Sequence, residues 1–121
     1  MSSPIGNFSL VQGDGYISIE FEEGEATIRL WRPRGTPLTV DFSHLVVFYN
    51  GQRKPIPPHG NFNITIKPDI YKELKDDIKD FFNIELLADE FENFIYNDKT
   101  PSDVKLYLCG KLRLLLKRPQ W

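Results

Sequence analysis

Cysteine is almost absent from this chain of 121 residues: Cys109 is the only one, beside one methionine and two histidines. A lone thiol cannot close an internal disulfide, so a small stapled secreted scaffold is excluded and a reducing compartment fits. Long apolar runs are missing too. None reaches the roughly 20 residues of a membrane-spanning helix, and Met1 to Leu10 lacks the basic segment and apolar stretch of a signal peptide. A cytoplasmic location without a membrane partner is the expectation.

Catalytic signals are equally scarce. His44 and His59 alone can act as near-neutral acid or base without a large shift, and neither belongs to a nucleophile or metal motif. The chain has no Walker loop, no dinucleotide glycine fingerprint, no His-Glu-x-x-His and no Gly-x-Ser-x-Gly. One cysteine and two scattered histidines do not make a closed zinc site, and Asp76-Asp77-x-x-Asp80 falls on a helical pattern instead of a glycine-centred calcium loop. These absences predict no catalytic residues, no bound metal, no cofactor and no enzymatic activity. Cys109 sits in an apolar strand pattern and reads as a small buried hydrophobe.

What the chain does have is 40% apolar and 13% aromatic residues, enough to fill the core of one domain spanning residues 1–121. Residues 1–67 read as a β-rich meander. Ile17, Ile19 and Phe21 alternate with Ser18, Glu20 and Glu22, and beyond Glu23-Gly24 so do Ala26, Ile28 and Leu30 with Thr27, Arg29 and Trp31, which predicts a hairpin over 16–31. Phe8 to Gln12 adds a strand. Leu38 to Phe42 and Leu45 to Tyr49 follow, with a tight turn expected at Asn50-Gly51; Lys54 to Gly60 holds three prolines, and Phe62, Ile64 and Ile66 alternate once more.

At Pro68 the period lengthens to that of a helix. Ile70, Leu74, Ile78, Phe81 and Phe82 share one face, and Leu87, Phe91, Phe94 and Ile95 suggest a second helix over 86–96, so residues 68–97 read as a helical segment. Residues 103–118 read as a C-terminal β-hairpin turning at Gly110-Lys111. The order strands, helices, strands predicts an α+β domain: a mainly antiparallel sheet with two consecutive helices packed on one face.

Charge carries the functional expectation. The total, 17 acidic against 15 basic residues, conceals a segregation: residues 69–103 hold 11 acidic and 4 basic groups, whereas 104–121 hold 5 basic and none acidic. An acidic helical layer attracts a basic partner and repels nucleic acid. The leading expectation is a non-enzymatic protein-binding module, a small stoichiometric inhibitor or immunity-type protein that neutralises a basic toxin or nuclease. Glu73, Asp76, Asp77, Asp80, Asp89, Glu90 and Glu92 would pair with that partner, and Tyr71 or Tyr96 would anchor it. The alternative is a nucleic-acid-binding surface of Arg29, Trp31, Arg32, Arg34, Arg53 and Lys54, in which arginine forks hold phosphates and Trp31 stacks on a base. Against it, Arg29 and Arg32 can pair with Glu20 and Glu22 or cover Trp31.

Overall fold

The computed structural model describes residues 4–32, 38–51, 60–87, 90–96 and 102–117. Eight strands follow one another around a closed barrel: β1 (Gly6–Gln12), β2 (Gly15–Glu22), β3 (Glu25–Arg32), β4 (Leu38–Gly51), β5 (Gly60–Thr65), β6 (Asn93–Tyr96), β7 (Asp103–Leu108) and β8 (Lys111–Lys117). Each pairs antiparallel with its neighbour in sequence, and β8 returns to β1 through Phe8 opposite Lys117 and Ser9 opposite Leu116. Farther along that seam a side chain takes over, as the Arg113 guanidinium donates to Gln12 Oε1 at 3.1 Å. Closure gives each described strand a neighbour on both sides.

An eight-stranded barrel is just wide enough for side chains to fill it, and here they do. Ile17, Ile19 and Phe21 of β2 and Ala26, Ile28 and Leu30 of β3 point inward, joined by Phe62, Ile64, Val104, Leu106, Leu108 and Leu115. Five aromatic rings form a continuous cycle across the interior. Phe8 meets Phe21 at 5.7 Å between centroids, Phe21 meets Phe94 at 5.0 Å, and Phe94 stacks on Phe62 at 5.6 Å. Tyr96 completes it against Phe62 at 6.2 Å and Phe8 at 6.4 Å. The cycle ties β1 and β2 to β5 and β6, which share no backbone hydrogen bonds.

One helix, α1 (Pro68–Phe82), lies between β5 and β6. Proline suits its first turn, and Asp69 complements its positive end in place of a side-chain cap. Asn83 stops it in the left-handed conformation, its N–H donating to Lys79 O at 2.9 Å. Leu74 and Ile78 are completely buried in the same core as the barrel residues. The C-terminal turn of α1 rests where β2 begins and β3 ends. There Gly15 is required, because a Cβ would collide with the Trp31 carbonyl and come within 3.0 Å of the Phe82 ring.

This architecture overturns the expected α+β domain with two helices packed on one sheet face: the sheet is closed and, among the described residues, carries a single helix. The segment expected to be a second helix holds β6 instead. Phe91 adopts φ 70°, which no helix accommodates, and Phe94 then pairs with Phe62 on β5 and with Leu106 on β7. The spacing of Leu87, Phe91, Phe94 and Ile95 resembles a helical stripe only because short apolar runs do not distinguish the two periods.

Three turns and contacts also differ from expectation. The two strand signals at 38–42 and 45–49 merge into β4, whose register slips opposite Ala26 and Ile28, and β4 runs through Asn50 to Gly51 without the expected two-residue turn. The β7–β8 turn falls on Cys109-Gly110, at φ 52° and 77°, so Cys109 is an exposed turn residue and not a buried strand hydrophobe. In β8 only Leu115 is buried; Leu112, Leu114 and Leu116 face outward and are exposed. Among the described residues no helix is long and apolar enough to cross a membrane.

Candidate functional site

The acidic residues singled out from the sequence separate into two groups. Glu90 is 8% exposed, and its carboxylate is consumed internally. Oε1 accepts from Leu87 N at 2.8 Å and Cys109 N at 2.7 Å, and Oε2 accepts from Gly110 N at 2.7 Å. This carboxylate therefore ties the segment after α1 to the β7–β8 turn. Tyr71 supports the same junction from α1: its hydroxyl donates to Glu90 O at 2.7 Å and lies 3.3 Å from Leu87 O. Tyr96 is buried within the aromatic cycle, and Glu92 is half-buried with its carbonyl accepting from Ile64 N at 2.8 Å. Asp89 lies outside the described residues. Tyr71, Tyr96, Glu90 and Glu92 are thus parts of the scaffold.

Glu73, Asp76 and Asp80 are exposed on α1, and Asp77 is half-buried at the edge of its apolar face. At 3.6 residues per turn these positions and Asp69 share one flank, while Lys72, Lys75 and Lys79 share the other. The helix has three sides: apolar, acidic and basic. Along the acidic flank the spacings 69–73, 73–77 and 76–80 all place carboxylate over carboxylate, an arrangement that weakens a helix. Burial, followed by Glu73, Asp80 and Asp76, pushes the Asp77 carboxyl above its ordinary range. A raised carboxyl contributes stability that is present at low pH and lost as pH rises through its folded value. Asp77→Asn should accordingly stabilise the protein near pH 7 by about 0.5 kcal/mol, the scale of one relieved like-charge pair, and should make no difference at pH 3. Urea titrations at the two pH values measure this.

The basic residues are placed differently. Arg29 does not pair with Glu20 or Glu22 as expected; its register partner is Asp41 on β4, reached by a fork with Nε to Oδ1 at 2.8 Å and NH2 to Oδ2 at 3.0 Å. The hydrogen bonds hold the Asp41 carboxyl below its ordinary range and the guanidinium above its own. Trp31 stacks on Tyr16 across the hairpin at 5.3 Å. Arg32 lies over the Phe81 ring at 4.6 Å, with NH2 4.0 Å from Asp80 Oδ2, so it joins β3 to α1. Arg34, Arg53 and Lys54 lie outside the described residues, as do His59 and the side chain of His44.

Comparison with protein-family models, curated proteins and solved structures finds no match. A helical wheel over 68–82 already contains the three-sided charge pattern, because it needs only the helix bounds. Nothing in the sequence marks Glu90 as different from Glu92. Its role depends on a turn nineteen residues away.

Proposed function

We propose that this chain is a non-enzymatic protein-binding module that acts stoichiometrically, as an inhibitor or immunity-type protein neutralising a basic toxin or nuclease. The observation that carries this reading is the acidic flank of α1, where Asp69, Glu73, Asp76 and Asp80 are exposed and carboxylates stack over carboxylates. Such crowding is unfavourable in the free protein, and a basic surface laid against it converts repulsion into attraction while steering the encounter. The helix is also a firm platform. Its apolar face is built into the barrel core, and Arg32 and Tyr71 tie it to β3 and to the segment after it. The cytoplasm suits a module whose one cysteine, Cys109, is an exposed free thiol.

The nucleic-acid alternative draws less support, because the guanidinium groups of Arg29 and Arg32 are already engaged with Asp41 and with Phe81 and Asp80. The test is capture from the native host with the wild type and with a Glu73→Lys, Asp76→Lys, Asp80→Lys variant. The wild type should retain one basic protein in equimolar amount, released by salt, and the variant should associate with it at least about tenfold more slowly. Equal capture rates would remove the acidic flank from the function.

A further inference from the structure

A groove of about 940 Å3 runs along the outer wall of β1 and β2. Its floor is made of serines. Ser9 and Ser18 are register partners on outward-facing positions, yet they are only 7% and 3% exposed, because longer neighbours rise around them. The covered Oδ1 of Asn7, also on the groove wall, has no hydrogen-bond donor among the described residues. Polar atoms removed from water normally find a partner, so an unsatisfied oxygen beside the two serines points to a ligand that brings donors.

The charge around them specifies the kind of donor. Glu20 and Glu22 of β2 and Glu23 of the following turn line one end, Asp14 lines the other, and Arg29, the one lining cation among the described residues, is held by Asp41. Tyr16 adds an aromatic wall, fixed by its stack on Trp31. Carboxylates, an unpaired acceptor and an aromatic surface together suit a guanidinium, which brings five donors in a planar fork and stacks on rings, better than they suit a strongly hydrated ammonium. The groove also adjoins α1: Gly15, which lines it, packs beside Phe82.

We propose that this groove seats an extended, arginine-bearing segment of the basic partner whose remaining surface docks on the acidic flank of α1. The assignment rests on the reading of the chain as a binder of a basic protein, and it adds a second contact with its own chemistry.

The probe is an acetylated, amidated tetra-arginine peptide titrated into the isotope-labelled full chain at low salt. Saturable amide shifts are expected at Asn7, Ser9, Ser18 and Glu20, with a tetra-lysine peptide binding more weakly. Ser18→Phe fills the floor at an outward strand position, and Glu20→Lys with Glu22→Lys reverses the exposed rim without touching the core. Each should weaken the peptide at least about tenfold with the thermal transition retained. Shifts confined to α1, groove shifts indifferent to both variants, or no saturable shift would each overturn the proposal. Failure of the α1 charge-reversal variant to slow the host partner would count against the proposed function instead, because that assay does not involve the peptide.

Discussion

Replacing Phe94 by alanine is expected to lower the unfolding free energy by about 3–5 kcal/mol, the range for emptying a buried aromatic site. Phe94 is 2% exposed and is the ring through which the aromatic cycle crosses from Phe21 on β2 to Phe62 on β5. It also belongs to the shortest strand. β6 has four residues, all paired with β5 but only two with β7, so on the β7 side its place in the barrel depends more on side-chain packing than on its ladder. The cavity left by Phe94→Ala cannot collapse easily, because the strands around it are held by closure of the barrel. Phe94→Leu retains much of the volume and should cost less than half as much. Urea unfolding would show the alanine variant with a lower midpoint at an unchanged slope. A loss below about 1 kcal/mol would mean that this site relaxes far more readily than a packed core does.

Glu90→Ala should cost about 3 kcal/mol, because it strips the acceptor from three backbone donors at once and bonds to an ionised acceptor are worth more than neutral ones. The loss stays below three full penalties, since the Cys109-Gly110 turn is exposed enough for water to replace part of what is removed. Glu90→Gln keeps one carbonyl oxygen but turns an NH2 toward a donor, so it should fall between wild type and alanine. Hydrogen exchange gives a local readout. The amides of Leu87, Cys109 and Gly110 should lose protection in Glu90→Ala, whereas those of Ile17 and Ile19 should remain slow up to global unfolding. Unchanged stability together with lost partner capture would return Glu90 to the binding surface. Of the acidic positions expected to bind the partner, Glu90 thus differs in kind from Glu73 and Asp76.

The strands of the first hairpin were legible from their residues. Ile17, Ile19 and Phe21 against Ser18, Glu20 and Glu22 is a pattern that only a half-buried strand satisfies, and β2 pairs with β3 in the register that Glu23-Gly24 implies. Helix α1 was legible for a similar reason: Pro68 opens it, and the apolar spacing persists for four turns. The residues after it were not. Leu87, Phe91, Phe94 and Ile95 satisfy a helical stripe as well as they satisfy a loop followed by a four-residue strand. The choice is made by Phe62 and Leu106, which lie on strands far away in the chain.

The candidate site divides along the same line. Segregation of charge into residues 69–103 is a property of composition, and the exposed flank of α1 follows from it once the helix is granted. The capture of Glu90 by a distant turn, the fork between Arg29 and Asp41, and the serine floor of the outer groove all require strands to be set side by side.

By itself, then, the sequence determined where the chain alternates with period two, where it turns helical, and that its near-neutral total hides opposed charges. Closure of the sheet was decided only in three dimensions. An antiparallel meander carries the same alternation whether it stays open or curls round, because each residue records only which face it presents. Whether the last strand meets the first depends on tilt, on the slip in β4 and on the inward rings of β1, β2, β5 and β6 filling one interior.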